Sequence, residues 1–348
     1  MKKWIRMTAA FLACLSLAAC ASGGNSGGTA GTGDASGGKP KQVNIGTQQL
    51  PNDEMIAIVK GYFEEEMGVP VKVMSFEAGD IRNAMMAGEI DFAMLGSSSA
   101  ILGRANGMDV SLIWIHEVIG TSEQLVAHEA TDIHTMDDLR GKKVAAAFTS
   151  TAHYSLLNAL ELYGIDEKEL TLLDMQQPDI IAAWERGDLD AAYVWEPGVS
   201  ALLQKGRTIV TSEELAAQGV LTTNVEMVRN EFAAQYPEMV TAYIRAVDRA
   251  NADFREDPVA CAKLLGDYMH ITPEEALVQM EGSIWLSAEE QVLPAYLGTS
   301  EVTGDYAESI VDTAEFLYEQ QSLTKQPDHE YMRDFIDPQF VEAFLESE

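Results

Sequence analysis

Two stretches of the chain, residues 80–98 and 179–197, carry the same pattern at a constant offset of 99 residues, from Gly88 to Gly187. Both stretches have matching Asp, Ile, Ala, Gly and Asp positions, followed by an apolar run. The pattern predicts a short helix that ends at the Gly, because Gly adopts positive φ without a steric penalty, and then a buried strand. Two α/β units of related construction predict two lobes, with a ligand cleft beyond the carboxyl ends of their strands.

The remaining patterns extend these two units into a complete α/β architecture. Strand and helix patterns alternate up to a strand at about 221–228, which would carry the chain back to the first lobe. Helical patterns dominate after that strand, with prolines at positions that helix starts favour. We therefore predict a helical C-terminal layer, a first lobe of residues 42–127 plus 225–348, and a second lobe of residues 128–224.

The N-terminal residues have the pattern of an export signal. Three basic residues precede the apolar stretch 8–17, which is too short to span a bilayer. The sequence Leu-Ala-Ala-Cys that ends at Cys20 resembles a bacterial lipobox, although a plain signal peptide with an incidental Cys is the alternative. We predict a lipoprotein signal peptide over residues 1–19, and a lipidated Cys20 with a Gly/Ser-rich tether over residues 20–41.

This anchor would hold the mature protein at the outer face of the cell membrane, on the periplasmic side or the cell surface. After cleavage the remaining cysteines are Cys20 and Cys261, so acylation of Cys20 excludes a disulfide. The formal net charge of −32 argues against binding to nucleic acid and against adsorption to anionic lipid. We expect a monomer that contacts the membrane only through its lipid.

Hydroxyl-bearing residues stand at two points where a predicted strand meets the start of a helix. They are Ser97, Ser98 and Ser99 in the first lobe, and Thr149, Ser150 and Thr151 in the second. The first N–H groups of a helix have no intrahelical partner, and the helix dipole favours negative charge there. One such helix start in each lobe would hold an oxyanion without any Arg. The alternative is that these residues only cap their helices, which is worth about 1 kcal/mol each.

Acidic and aromatic residues lie near the same strand ends. Trp195 could cover the methylene carbons of a ligand, and Glu196 could pair with an ammonium group. Glu117 and Glu123 are further candidates for a cation. His153 lies in the first turn of its helix and could donate to an anion. The alternatives are that the glutamates are solvated and that His153 is structural.

The sequence carries no catalytic pattern. Its histidines show no metal-ligand spacing, and it contains neither a GxSxG nucleophile elbow nor a phosphate-binding glycine loop. We therefore expect a binding protein without a metal or a cofactor, and not an enzyme.

Three segments carry a more specific pattern, namely STAHYSLL from residue 150, IAAWERGD from residue 181 and LGSS from residue 95. These segments resemble the taurine-binding proteins of ABC importers, within the wider nitrate, sulfonate and taurine-binding family. The resemblance covers most of residues 43–316. It implies a periplasmic-binding-protein fold of the second type, in which two α/β lobes joined by a hinge of two strands close on a ligand. It also implies an ABC permease and its ATPase as partners.

The resemblance further implies which residues face the ligand. They are Gln48, Ser97 and Ser98 from the first lobe, and Thr149, Ser150, Thr151, His153 and Trp195 from the second. Glu123 fits the Glu-x-Leu pattern in which taurine binders place the carboxylate that pairs with the ligand's ammonium. Ser99, where the family commonly has Pro, and Tyr154 adjoin these positions and complete the candidate set with Glu117 and Glu196.

The residues and the resemblance together predict a protein that captures taurine or a related sulfonate in a closing cleft. The alternatives are a binder of alkanesulfonates, nitrate or a thiamine-precursor pyrimidine, a sensor lipoprotein that presents its closed state to a receptor, and an enzyme on the same scaffold. A ligand without an ammonium would leave the glutamates unused. The enzyme alternative arises because pyrimidine synthases of thiamine metabolism share this fold, and the lipobox disfavours it, because such enzymes are intracellular.

Replacement of Cys20 by Ser tests the lipid anchor. We expect the Cys20→Ser protein to move from the membrane fraction to the soluble fraction, because the acyl chains that hold it at the bilayer require the cysteine. Immunoblots of fractionated cells measure the change, with Cys261→Ser as the matched control. Retention of the Cys20→Ser protein on the membrane would contradict the lipobox prediction.

Overall fold

The computed structural model describes residues 38–76 and 78–348, of which residues 39–348 form one compact unit. The predicted signal peptide, Cys20 and most of the predicted tether lie outside the described residues. None of the described helices has the length and apolar character needed to cross a membrane.

The chain alternates strands and helices and then becomes mostly helical. The first elements are β1 (Val43–Thr47), α1 (Asp53–Lys60), α2 (Tyr62–Met67), β2 (Val71–Ser75), α3 (Ala78–Met86), β3 (Phe92–Gly96), α4 (Ser97–Ala105) and β4 (Val110–Ile119). The next are β5 (Glu123–His128), β6 (Lys143–Ala146), α5 (Thr151–Leu162), β7 (Thr171–Asp174), α6 (Gln177–Glu185), β8 (Ala191–Trp195), α7 (Gly198–Leu203), β9 (Gly206–Thr211) and α8 (Ser212–Ala216). The last are β10 (Thr223–Arg229), α9 (Asn230–Gln235), α10 (Pro237–Glu256), α11 (Pro258–Met269), α12 (Pro273–Glu281), β11 (Ser283–Trp285), α13 (Ala288–Gln291), α14 (Tyr306–Glu319), α15 (His329–Arg333) and α16 (Gln339–Ser347).

These strands form two mixed sheets, one in each lobe. The first sheet has the order β11-β4-β10-β3-β1-β2, and the second has the order β7-β6-β8-β5-β9. In the first sheet β1 is parallel to β2 and β3, and β10 runs antiparallel to β3 and β4. In the second sheet β6 is parallel to β7 and β8, and β5 is antiparallel to β8 and β9. The predicted two-lobed α/β fold is confirmed.

The two copies of the sequence repeat occupy equivalent places in the two sheets. The first copy is α3, a turn at Gly88 with φ of 70°, and β3, and the second is α6, a turn at Gly187 with φ of 73°, and β8. The repeated Asp also has the same role in both. Asp91 accepts the N–H of Asn44 at 2.9 Å at the start of β1, and Asp190 accepts the N–H of Lys143 at 2.8 Å at the start of β6. The repeat thus fixes a strand pair in each lobe.

Two segments cross between the lobes side by side. One leads from β4 to β5 and the other leads into β10, and they are joined where the N–H of Ile119 donates to the carbonyl of Thr222 at 3.0 Å. Strand β5, which the sequence analysis assigned to the first lobe, is a strand of the second sheet because it pairs with β8 and β9. The first crossing therefore precedes Glu123, and this buried residue becomes the first residue of the second sheet.

The hydrophobic cores follow the sheets. The first sheet shares one core with the C-terminal helices, in which α10 packs against α1, α2 and α16. The second sheet has a core on each face, because alternate residues of its central strands point to opposite sides. Burial on both faces explains why β8 is a continuous apolar run, as is usual for central strands of parallel sheets. The predicted helical C-terminal layer is present, and it covers the first lobe.

Replacement of the repeated Asp tests its structural role. We expect Asp91→Ala to lower the free energy of unfolding by about 2 kcal/mol, because it removes an acceptor of a backbone N–H and the partner of Arg229 at 2.7 Å. Asp190→Ala should cost about 1 kcal/mol, because its hydrogen bond is exposed. Urea denaturation of residues 39–348 measures both changes. Asp188→Ala, at an exposed position, is the matched control, and an equal effect of all three replacements would contradict this role.

Candidate functional site

A cavity lies between the lobes, at the ends of strands from both sheets. Eight residues predicted from the sequence line it, namely Gln48, Ser99, Glu117, Glu123, Ser150, Thr151, Trp195 and Glu196. Both crossing segments also contribute to the wall, through Ser122 and Asn224. A molecule in this cavity would therefore contact both lobes and both connections between them.

Three helices begin at the cavity. The lining contains Pro51 just before α1, Gly96 and Ser99 at the start of α4, and Ser150 and Thr151 at the start of α5. At the start of α1 these donors are already used, because the N–H of Glu54 donates to Asp53 at 2.7 Å and the N–H of Met55 donates to Asn52 at 3.0 Å. The first N–H groups of α4 and α5 lack intrahelical partners, so the positive ends of two helix dipoles, one from each lobe, border the cavity. This arrangement favours a negatively charged group of the ligand, without a basic side chain.

The lobes are in close contact at this point. A Cβ atom on Gly96 would lie 3.0 Å from Cγ2 of Thr151, so the start of α4 in the first lobe approaches the start of α5 in the second. A larger residue in place of Gly96 would hold the helix starts apart. Beyond the cavity, the ring of Tyr154 on α5 packs edge-on against the ring of Phe316 on α14, with centroids 4.9 Å apart. The cleft is therefore closed.

Glu123 is a fully buried carboxylate that organises the second-lobe side of the cavity. Its Oε2 accepts the hydroxyl of Thr151 at 2.5 Å, and its Oε1 accepts the hydroxyls of Ser212 at 2.9 Å and Ser155 at 3.2 Å. Burial raises the pKa of Glu123 to about 7, although these three hydrogen bonds lower it. The residue thus links β5 to α5 and α8, and its charge changes near neutral pH.

Two more buried carboxylates line the cavity. Glu117 accepts the side-chain N–H of Asn224 at 2.6 Å, and this hydrogen bond joins β4 to β10 at the crossing. Glu196 accepts the backbone N–H of Ser200 at 3.0 Å and its hydroxyl at 2.9 Å. Burial raises the pKa of both Glu117 and Glu196, although their hydrogen bonds lower it. Neither carboxylate has a basic side chain as a partner among the described residues.

The ionisable side chains of the described cavity wall are therefore all acidic. Its described lining contains three carboxyl groups and neither Lys, Arg nor His. A positively charged or N–H-bearing ligand group would compensate these buried carboxylates, because a buried charge is costly unless it is paired or hydrogen-bonded. The wall as a whole is suited to a molecule that has both a negative end and a positive end.

The other five candidate residues do not line the cavity. Ser97 accepts the backbone N–H of Thr223 at 3.3 Å, and so ties α4 to β10. Ser98 is buried, and its hydroxyl has no hydrogen-bond partner among the described residues. Tyr154 faces α14, as described above.

Thr149 and His153 shape the turn that leads into α5. Thr149 has φ of 64°, which is unusual for a β-branched residue, and its N–H donates to Nδ1 of His153 at 3.4 Å. The His153 ring stacks on Phe148 with centroids 4.2 Å apart, and burial lowers its pKa to about 4. At neutral pH the ring is thus an uncharged acceptor that supports the turn before Ser150.

Seven further residues line the cavity that were not predicted from the sequence. They are Leu50, Pro51, Gly96, Ile119, Ser122, Asn224 and Gln279. Gly96 lies inside the LGSS segment, and Ser122 adjoins Glu123, so their positions carried a signal. The positions of Asn224 and Gln279 could not be found from a sequence pattern, because these residues reach the cavity from β10 and α12, which are distant in sequence from the motifs.

A wider vestibule continues the cavity towards solvent. The cavity and the vestibule share Gln48, Leu50, Trp195, Glu196 and Gln279. The vestibule adds a largely apolar wall that includes Phe76, Pro178, Ile181, Met269 and Ile271. The shared residues form a throat between the charged inner cavity and this apolar outer part.

A buried network of hydrogen-bonded ionisable side chains lies behind the first-lobe part of the cavity wall. Nδ1 of His116 lies 2.7 Å from Asp53, and Nε2 lies 3.0 Å from Glu226. Burial lowers the pKa of His116, but the two carboxylates raise it more, so that it lies well above its usual value. The hydroxyl of Tyr243 lies 2.8 Å from Glu54 and 2.7 Å from Glu226. These contacts fix the start of α1 against β4 and β10, directly beneath the lining.

Two α/β lobes, two crossing segments and a cavity closed between the lobes define a two-lobed ligand-binding protein. The sequence matches the family model described as NMT1/THI5 like over residues 53–261. The chain belongs to this NMT1/THI5-like family, and the resemblance inferred from its sequence motifs is confirmed.

Similar proteins are known in sequence and in structure. The chain is 32% identical to the taurine-binding periplasmic protein of Escherichia coli (strain K12), over 80% of this chain and 86% of that protein. The alkanesulfonate-binding protein SsuA from Xanthomonas axonopodis pv. citri, bound to MOPS, has the same fold, with a TM-score of 0.71 and 21% identity over 85% of this chain and 98% of the other. SsuA from Escherichia coli gives a TM-score of 0.70 at 22% identity, over 84% and 92%. These relatives are named as binding proteins, in agreement with the prediction of a binding protein rather than an enzyme.

The buried carboxyl group of Glu123 gives a pH-dependent stability. Its pKa is raised from 4.5 to about 7 on folding, so the stability it contributes is fully present below pH 4.5 and is lost as the pH rises through 7. We expect the Tm of the ligand-free protein to fall from pH 5 to pH 8, and to fall less in Glu123→Gln, which stays uncharged. A shift of this size corresponds to about 3 kcal/mol.

Differential scanning calorimetry across this pH range measures the effect. Glu129→Gln is the matched control, because Glu129 follows the same strand but is exposed. Parallel Tm profiles of the wild-type protein and Glu123→Gln would contradict the raised pKa.

Proposed function

We propose that the protein is the extracytoplasmic substrate-binding lipoprotein of an ABC importer, and that it captures taurine or a related sulfonate in the cavity between its lobes. The observation that carries this proposal is the wall of the cavity. The starts of α4 and α5, one from each lobe, border a space whose described side chains include three carboxyl groups and no basic residue. That combination is complementary to a small zwitterion.

The negative end of such a ligand fits the helix starts. A sulfonate has three oxygens, and each can accept N–H groups at the starts of α4 and α5 from opposite lobes. The hydroxyl of Ser99 lies in the same lining. Backbone donors suit a protein with a net charge of −32, because they act at short range against an unfavourable overall field.

The positive end of the ligand fits the carboxylates. An ammonium group close to Glu117, Glu123 or Glu196 would form charge-assisted hydrogen bonds in a water-poor site. These bonds favour the ionised carboxylates, whose pKa values burial has raised. A ligand with no positive end would leave these groups uncompensated, and should bind more weakly.

Closure of the cleft would connect binding to transport. A ligand held by both lobes binds the closed state more tightly than the open state, and so increases the closed population. We infer that an ABC permease with its ATPase recognises this state. The E. coli relative supports the location and the ligand class, since it is named a taurine-binding periplasmic protein.

A second candidate ligand class is the alkanesulfonates. The apolar wall of the vestibule favours this class, because it would cover an alkyl chain that extends from the cavity. A Bacillus subtilis (strain 168) relative, 26% identical over 88% of this chain and 89% of its own length, carries the provisional name of an aliphatic sulfonates-binding protein. The three carboxyl groups weigh against this class.

Calorimetric titration of residues 39–348 with taurine and ethanesulfonate tests the proposal. We expect micromolar or tighter binding of taurine, and at least tenfold weaker binding of ethanesulfonate, because the latter lacks the ammonium group. Sulfate and nitrate serve as controls for a bare anion site. Equal binding of taurine and ethanesulfonate would favour the alkanesulfonates, and absence of binding to either would contradict the sulfonate assignment.

A further inference from the structure

Gln279 is a buried side chain that reaches the cavity from the C-terminal helical layer. It lies on α12, is 4% exposed, and lines both the inner cavity and the vestibule at the throat. Its Oε1 atom has no hydrogen-bond partner among the described residues. It is the only lining residue supplied by α12, and it therefore belongs to neither of the two repeated α/β units.

An amide oxygen in this position is costly unless something donates to it. A buried acceptor without a partner costs about 1–3 kcal/mol, and for this reason most buried polar groups in proteins are hydrogen-bonded. The carboxyl groups of the lining differ from Gln279, because each already accepts at least one hydrogen bond. Glu123 accepts three hydroxyls and Glu196 accepts two donors from Ser200. Gln279 therefore gains most from a ligand that carries an N–H group.

We propose that Gln279 is a specificity-determining residue that accepts an N–H group of the ligand at the throat. This inference rests on the proposed function and specifies how the site distinguishes amino-bearing sulfonates from others. Glu196, which lies at the same throat, belongs to the second lobe, whereas Gln279 belongs to the layer that covers the first. A ligand N–H group at the throat is thus held from both lobes.

The position of α12 also connects this contact with the crossing between the lobes. Three residues after Gln279, the carbonyl of Gly282 accepts the N–H of Ser122 at 2.9 Å. The hydroxyls of Ser283 and Ser122 lie 2.6 Å apart. The residues that directly follow α12 are therefore hydrogen-bonded to the segment that connects β4 to β5.

Replacement of Gln279 by Leu tests the proposal. Leu has a similar size but no acceptor, so we expect the affinity of the purified full chain for taurine to fall at least tenfold. The affinity for ethanesulfonate, which has no N–H group, should stay the same or rise, because the unpartnered amide is gone. Gln279→Glu keeps an oxygen acceptor and should retain the preference for taurine. Gln235→Leu, at an exposed position outside the cavity, is the matched control.

Calorimetric titrations of the four proteins with both ligands give a clear decision. An equal loss of affinity for both ligands in Gln279→Leu, or no loss for either, would overturn the role of Gln279 while the proposed function stands. Equal binding of both ligands by the wild-type protein would also overturn it, since the site would then not recognise an N–H group. Failure of the wild-type protein to bind either ligand would overturn the proposed function itself, and this inference with it.

Discussion

The site depends on the burial of carboxyl groups without a basic side chain in the same wall. Glu117, Glu123 and Glu196 are held by hydroxyl, amide and backbone N–H donors, which stabilise a negative charge only in part. Burial therefore raises the pKa of each group. The remaining compensation must come from protons or from a ligand, and this requirement decides which molecules the cavity favours. The helix starts on the same wall supply the opposite sign, so the cavity separates two kinds of charge over a short distance.

The hydrogen bonds of these groups also link separate elements near the connections between the lobes. Glu117 joins β4 to β10 at the crossing, through Asn224. Glu123 begins the second sheet and joins it to α5 and α8. A change in the charge or the occupancy of the cavity thus acts directly on the connections between the lobes. The network of His116, Asp53 and Glu226 holds the first-lobe wall together, because it joins the start of α1 to β4 and β10.

Much of the fold could be predicted from the sequence, because its signals are local. The Gly that ends each repeated helix and the apolar run after it gave both α/β units, and the repeated Asp marks the same hydrogen bond at the start of β1 and of β6. The position of the boundary between the lobes was harder to predict from the sequence. The residues of β5 fit a buried strand of either sheet, and only its pairing with β8 and β9 places it in the second lobe.

The sequence by itself determined the family, the two α/β units, and the hydroxyl-rich helix starts at the ends of their strands, since short segments encode each of these features. Tertiary structure alone decided which side chains face the cavity. It directs Thr151 towards Glu123, keeps Tyr154 against Phe316, and brings Asn224 and Gln279 to the wall from distant segments. It also decided the pKa values of the three glutamates. Both outcomes depend on burial and on contacts between residues far apart in the chain, which a local pattern does not contain.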